Sequence, residues 1–582
     1  MSDAEERASA AQRQHDADIH AAWARAWSNL SPEAAMLAWR DWTSHLATSP
    51  GKRAALTRLA RTQFDQLSLD VREALGSLAA GKAPPEAAAE ADRRFADPAW
   101  NQFPFNLMRQ SFLMQSHWWE QATQGVWGMQ PEHQQMVAFA AKQWLEAMSP
   151  ANFPLLNPLV LERTGAEGGA NLARGMANFI DDALRKAAGR VPAGAEDFQV
   201  GRDVALTPGK VVLRNALIEL IQYAPATKKV HPEPILIVPA WIMKYYILDL
   251  SPGNSLIKYL VAQGHTVFCI SWKNPGVEDR ELGMDDYLEL GIEAALAAVR
   301  SIVPGQKIHA TGYCIGGTML SIAAAALARD GDQRLASLTL LAAQTDFSEP
   351  GELSLFINDS QIALLEAQMA DTGYLHSDQM AGAFQMLRAY DMVWSKLINE
   401  YLLGDRRPMI DLMAWNADGT NMPAKMHSQY LRRLYLDNDL AAGRYPVKGR
   451  PVALGDIKLP VFCVGTTTDH VAPWRSVFKL HLFCQSEITF ALTNGGHNAG
   501  IVSEPGRPRR RYQLHTRPAQ GRYLSPDEWL ETAQSHEGSW WPAWTAWLRE
   551  RSSDPVSPPA IGAPGKGLEA LDDAPGVYVL KK

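Results

Sequence analysis

The chain has 582 residues, with 56 Lys and Arg against 63 Asp and Glu for a formal charge of −7, and it is 46% hydrophobic and 20% charged. That balance excludes the clustered positive charge of a general nucleic-acid binder and the composition of a disordered chain, and the length leaves room for more than one domain. The polar start "MSDAEERASAAQRQHDADIH" has no apolar signal stretch, and no later segment approaches the roughly 18 apolar residues of a membrane span, so a cytoplasmic protein is expected.

Up to about residue 195 the apolar residues recur at helical spacing in "AAWARAWSNL", "AAMLAWRDWTSHLA", "PEHQQMVAFAAKQWLEAM" and "ANLARGMANFIDDALRKAAG". Pro84-Pro85, Ser149-Pro150 and Phe153-Pro154 punctuate them, and the pattern predicts a helical domain over 1–195. From about residue 200 the period changes. "VALTPGKVVLRNALIELIQY" mixes β-branched residues around a Pro208-Gly209 turn, and the short apolar runs "ILIVPAWI" and "TVFCISW" read as buried parallel strands. Helical segments such as "MDDYLELGIEAALAAVRSIV" alternate with these runs, which predicts a mostly parallel sheet covered on both faces. Residues 350 to 445 interrupt the alternation with long helical and Trp-rich stretches, read as a cap or lid inserted into a domain over 196–582. Strands resume at "LPVFCVGTTTDH" and "ITFALTNGGHNAG"; the aromatic "SWWPAWTAWL" reads as packed core or interface, and the last thirty residues are rich in Pro and Gly.

The chain has only four cysteines, none in a CxxC pair, so neither a disulfide framework nor a zinc site is indicated, and no metal is expected. Cys269, Cys463 and Cys484 lie in apolar runs, where free cysteine behaves as a small buried hydrophobe. Cys314 is different. "KIHATGYCIGGT" sets it between a predicted strand and helix in a G-x-nucleophile-x-G turn, the elbow of the α/β-hydrolase fold. That fold requires an acid and then a histidine in chain order, each beyond a later strand; Asp469 in "PVFCVGTTTDH" and His497 in "TFALTNGGHNAG" meet the demand. A Cys314-His497-Asp469 triad is expected. The competing base, His470, is adjacent to Asp469 and reads as a structural or pocket residue, since consecutive loop residues point apart.

A thiolate is the reactive form, and a nearby histidine and the positive end of a following helix both favour it. The Ile315 amide should supply one oxyanion donor, and the loop after "ILIVP", around Ala240 and Trp241, a second. A thiol that attacks a thioester conserves acyl activation, which suits acyl transfer from coenzyme A better than hydrolysis.

The motifs "YCIGGT", "KYYILDLSPGNSLIKYLVAQGHTVF", "SWKNP", "WNADGTNMP", "DHVAPW", "GGHNAG" and "GSWWPAWTAWL" resemble those of poly(3-hydroxyalkanoate) synthases, particularly the single-subunit, short-chain type, nearly end to end. The resemblance implies polymerisation of (R)-3-hydroxyacyl-CoA, usually the 3-hydroxybutyryl thioester, into polyester with release of CoA. CoA is then part of the substrate, and no cofactor is expected. Cys314 would hold the growing chain, His497 would deprotonate the thiol and the incoming hydroxyl, and Asp469 would orient or assist His497. Trp415 falls in the region resembling the mobile cap, either packed there or touching substrate. Asn498 stands where many relatives carry an aliphatic residue, and Ile410 and Met413 where aromatic residues are common. A homodimer at the surface of polyester granules is implied. Two other readings remain open at this point: a Cys hydrolase of the dienelactone-hydrolase kind, and a granule-binding protein with a vestigial triad.

Overall fold

The computed structural model describes residues 31–82 and 92–582, with a few isolated positions before residue 31. The helix expected over "AAWARAWSNL" and the Pro84-Pro85 break lie outside the described residues. The chain forms two compact units, one comprising Trp27–Ala193 with Gly382–Pro408 and the other Gly194–Ala381 with Met409–Lys582.

In the first unit the helical periodicity becomes α1 (Pro32–Ala47), α2 (Pro50–Ala79), α3 (Phe105–Thr123), α4 (Pro131–Ala147), α5 (Pro158–Ala166) and α6 (Ala170–Ala187). Proline opens several of these, where its missing N–H costs nothing. Polar caps precede it: Ser31 accepts from the Ala34 amide, and the Asn157 side chain accepts from Leu159 at 3.0 Å. Phe95, Trp100, Phe112 and Leu145 form the core, with Phe95 edge-on to Trp100 at 4.9 Å between ring centroids.

The expected insertion over 350–445 is not a single piece, because Gly382–Pro408 belongs to the helical unit. The reason lies on α6. Gly175 has no side chain where a Cβ would sit 1.9 Å from the Tyr401 carbonyl oxygen, so the returning segment lies directly against the helix backbone. Asn171 donates to the Leu402 carbonyl at 2.9 Å, and Arg406 pairs with both Asp181 and Asp182.

The second unit is built on a ten-stranded sheet among the described residues. Its strands are β1 (Gly209–Arg214), β2 (Ile218–Tyr223), β3 (His231–Val238), β4 (His265–Trp272), β5 (Ile308–Tyr313), β6 (Leu335–Leu341), β7 (Val461–Thr466), β8 (Ile488–Thr493), β9 (Arg511–Arg517) and β10 (Gln534–Glu537). The order is β1-β2-β4-β3-β5-β6-β7-β8-β9-β10. Strands β4, β3, β5, β6, β7 and β8 pair in parallel and the outer strands antiparallel. Strands β4, β5, β7 and β8 are buried along their whole length, which is why they read as continuous apolar runs. Strands β9 and β10, which carry no apolar run, are polar, β9 partly exposed and β10 largely so.

Helices cover the sheet: α7 (Leu256–Ala262), α8 (Ala294–Ile302), α9 (Ile315–Arg329) and α12 (Trp541–Arg549), with α10 (Asp359–Thr372) and α11 (Ala424–Tyr430) in the inserted part that stays with this unit. The aromatic stretch "SWWPAWTAWL" is core. Trp540, Trp541 and Trp544 are buried, and their indole N–H groups donate to the Gly500 carbonyl, the Ile501 carbonyl and the Thr339 hydroxyl at 3.0 to 3.1 Å. The Pro/Gly-rich tail runs along the outer strands. There the fully buried Glu219 carboxylate accepts from the Val577 and Tyr578 amides and from Arg214.

At the opposite end of the parallel strands from the elbow sits a histidine cluster. His265 stacks on His231 with centroids 5.0 Å apart, is 1% exposed, and has no partner among the described residues for either ring nitrogen. Burial lowers its pKa to about 3, aided by the positive charge that His231, His309 and Arg549 would place near it. The unfolded chain therefore takes up a proton that the fold refuses, so stability is complete above the ordinary histidine pKa and is lost as pH falls from there toward 3. Between pH 7.5 and pH 5 the unfolding free energy should drop by about 2 kcal/mol more in the wild type than in His265→Leu, measured by denaturant titration at the two pH values. Equal losses in the two proteins would remove His265 from the pH dependence.

Candidate active site

Strand β5 ends at Tyr313, and α9 begins at Ile315, leaving a single residue to make the corner. Cys314 makes it at φ 54° and ψ −129°, a conformation that L-residues adopt at a cost of about 1–3 kcal/mol and that clusters at functional sites. Its own amide is held by the Leu341 carbonyl at the end of β6, at 2.9 Å. The glycines of "CIGG" let the corner close: a Cβ on Gly316 would lie 2.4 Å from the Val238 oxygen and 2.5 Å from that of Pro239. The start of α9 therefore abuts the end of β3, and the Ile315 amide, in the first turn, has no partner within the helix.

The parallel register of β7 with β8, which ends on Thr466 opposite Thr493, brings the two following loops together. Asp469 and His497 emerge from these loops, and the His497 Nδ1 lies 2.8 Å from the Asp469 Oδ2. The Asp469 side chain is fully buried, with Oδ1 accepting from the Val471 and Ala472 amides at 2.9 and 2.8 Å and Oδ2 from the Thr466 hydroxyl at 3.0 Å. Burial opposes its charge, but His497 and the two amides hold the carboxyl below the ordinary aspartate value. The Cys314 thiol lies near enough to the His497 ring to act on its charge. Burial disfavours the imidazolium, yet the charges and hydrogen bonds of Asp469 and Cys314 carry its pKa well above the ordinary histidine value. A half-buried thiol thus stands near an imidazole that is bonded to a buried carboxylate, an arrangement that can form a thiolate and return a proton to a leaving group. The other three cysteines are buried, and burial pushes their thiols up, Cys484 to about 12.

The remaining expected residues fall in different places. Ala240 and Trp241 follow β3 and are buried, with Trp241 4.7 Å from Tyr287 and 5.4 Å from Trp272 between ring centroids. His470 turns outward, 43% exposed and 3.9 Å from Glu352. Trp415 is packed, 3% exposed, its indole N–H donating to the Lys244 carbonyl at 2.8 Å. Asn498 accepts from the hydroxyl of Tyr313 at 2.6 Å, and that ring lies 5.5 Å from the His497 ring. The polar residue in this position thus satisfies a buried phenol beside the base. Ile410 and Met413 are exposed.

Two further tyrosines reach the site without having been legible in the pattern. Tyr430, buried at the end of α11, and the partly buried Tyr435 are bonded to each other through their hydroxyls at 3.3 Å. Burial raises the pKa of both phenols, and a thiolate at Cys314 raises both further, which places them beside it. Five residues apart, they would diverge on an α-helix; the π-helical turn Leu431–Leu436 brings them to one side. Among the described residues no group of three or more His, Cys, Asp or Glu side chains is placed to hold a metal ion, and no helix is long and apolar enough to cross a membrane.

Comparison with known proteins agrees with this geometry. Residues 91–260 match the family model described as the poly-beta-hydroxybutyrate polymerase (PhaC) N-terminus, residues 10–52 one described as poly-beta-hydroxybutyrate polymerase N terminal, and residues 233–504 that of the alpha/beta hydrolase fold. The chain is 42% identical over 498 residues to a poly(3-hydroxyalkanoate) polymerase of Methylorubrum extorquens, covering 84% of this chain and 81% of that one. It is 39% identical to the polymerase subunit PhaC of Rhizobium etli, over 86% of this chain and 78% of the other, and 37% identical to that of Cupriavidus necator, over 84% and 83%. An α/β-hydrolase core carrying a cysteine elbow, preceded by a helical region that matches the polymerase amino terminus, places the chain in the poly(3-hydroxyalkanoate) polymerase family.

Proposed function

We propose that this acyltransferase polymerises (R)-3-hydroxyacyl-CoA, most simply 3-hydroxybutyryl-CoA, through a chain held as a thioester on Cys314. The observation that carries the reading is the His497–Asp469 bond beside the Cys314 corner, at the ends of β8, β7 and β5. In the loading step the Cys314 thiol gives its proton to His497, and sulfur attacks the thioester carbonyl. The oxyanion is met by the amides of Ile315 and of Ala240 or Trp241, and CoA leaves with a proton. In elongation His497 takes the proton of a hydroxyl, whose oxygen attacks an acyl-thioester carbonyl, so that an ester forms and a thiolate is released. Asp469 keeps the His497 Nδ1 protonated and the ring aimed. The reaction needs no cofactor beyond the CoA carried in by the substrate.

Burial around the thiol supports polymerisation over hydrolysis. Tyr430 and Tyr313, both buried, and the partly buried Tyr435 lie near the thiol and would limit the access of bulk water to an acyl-enzyme, which a hydrolase would have to admit. A cytoplasmic homodimer working at the surface of a polyester granule completes the proposal. Met176, Ile180 and Leu184 support the granule association: they recur at helical spacing on α6 and are at least half exposed.

Cys314→Ser should lower CoA release from 3-hydroxybutyryl-CoA by about 10³-fold or more while the thermal midpoint stays put, because a serine hydroxyl is far harder to ionise beside the same imidazole. Release at the wild-type rate would take Cys314 out of the reaction. His497→Gln should abolish both loading and elongation, whereas Asp469→Asn should keep about 10- to 100-fold more loading activity, read as release of the first CoA equivalent in a single turnover. Equal losses in the two variants would mean that Asp469 does more than orient the ring.

A further inference from the structure

The loop that follows β3 is hung from a distant part of the chain. Trp415 donates from its indole to the Lys244 carbonyl at 2.8 Å, the Thr420 amide donates to the Ile242 carbonyl at 3.2 Å, and Gly419 forms an antiparallel bridge with Met243. Between these, the Thr420 hydroxyl donates to the Trp241 carbonyl. Trp241, Lys244, Trp415 and Thr420 are buried, Thr420 to 3% exposure, and Ile242, Met243 and Gly419 are partly buried. At the start of the loop the Trp272 indole donates to the Pro239 carbonyl at 2.9 Å.

A peptide unit is planar, so a carbonyl held in place fixes the direction of the N–H on the following residue. Trp272 holds the plane that carries the Ala240 N–H. Thr420 holds the plane that joins Trp241 to Ile242. The peptide between them carries the Trp241 N–H, and with both neighbouring planes clamped it has little freedom left to turn. The segment "WNADGTN" therefore acts on the proposed oxyanion donors without touching the substrate, and the bond nearest to them is the one from the Thr420 hydroxyl.

We infer that Thr420 is a positioning residue that aims the Ala240 and Trp241 amides at the developing oxyanion, with Trp272 clamping the start of the loop at the Pro239 carbonyl. The inference rests on the proposed loading of an acyl group onto Cys314. It predicts a specific signature, because alkylation of a thiolate by iodoacetamide needs no oxyanion donor whereas attack on a thioester does.

Thr420→Val keeps the branched shape and removes the hydroxyl; Thr420→Ser keeps the hydroxyl. For Thr420→Val, kcat for CoA release from 3-hydroxybutyryl-CoA should fall by about 10- to 100-fold, less than the full loss of an oxyanion donor, with KM and the rate of Cys314 alkylation within about twofold of wild type. Thr420→Ser should recover kcat to within about threefold of wild type. Trp272→Phe, which removes the bond to Pro239, should reproduce the Val signature and carries the test if Thr420→Val does not fold. An unchanged kcat, a parallel fall in the alkylation rate, or a Ser variant no better than Val would overturn the inference. Failure of the underlying reading is visible without any variant, since wild-type enzyme would then release CoA after Cys314 had been alkylated.

Discussion

The site depends on one buried carboxylate. Asp469 lies at the end of β7 with its side chain wholly out of solvent, where an unpaired charge would be expelled or neutralised. It stays charged because two backbone amides, a threonine hydroxyl and His497 all point at it. These partners come from two loops whose separation is set by the register of β7 on β8, and the loops are further tied by the Thr467 amide on the Thr493 carbonyl and the Thr468 amide on that of Gly495. The charge of Asp469 raises the basicity of His497, whose ring lies near the thiol of Cys314. A slip of one residue between the two strands would turn His497 away and leave a buried carboxylate without its partner.

Around that chain of proton carriers, the backbone is bent and braced. Cys314 occupies a strained corner that persists because β5, β6 and α9 fix it from three sides, and the side-chain-free face of Gly316 lets α9 press against the end of β3. The loop after β3 is fastened in turn to the segment from Trp415 to Asn421. The inserted part of this unit thus reaches the site in two ways, through Tyr430 and Tyr435 beside the thiol and through Thr420 behind the loop. A change in the position of that insertion would be felt by the reacting carbonyl even if no inserted residue touched it.

Much of this is legible in the sequence because buried parallel strands leave continuous apolar runs, and the residues that carry chemistry follow directly after them. Cys314, Asp469 and His497 each stand just beyond such a run, in the order the fold demands, with His497 bonded to Asp469 and Cys314 near its ring. What is not legible has physical causes. Strands β9 and β10 are half-exposed, so they lack an apolar run. The return of Gly382–Pro408 to the helical unit depends on the bare backbone of Gly175, which in the sequence is one glycine among many. Tyr430 and Tyr435 converge only because the helix widens to a π turn between them, and helical periodicity assumes the opposite. Trp415 is visible as an unusual residue, but its neighbour Thr420, whose hydroxyl lies closer to the proposed oxyanion donors, carries no signal of its own.

The central claim is that the acyl chain is carried on sulfur at the corner between β5 and α9. It is tested most directly by quenching the enzyme in acid during turnover of 3-hydroxybutyryl-CoA and mapping the adduct by peptide mass spectrometry. The account predicts hydroxybutyryl units on the peptide containing Cys314, released by hydroxylamine as a thioester should be, and absent from a sample alkylated beforehand. Release of CoA with the Cys314 peptide unmodified throughout, or with the acyl units on another residue, would contradict it.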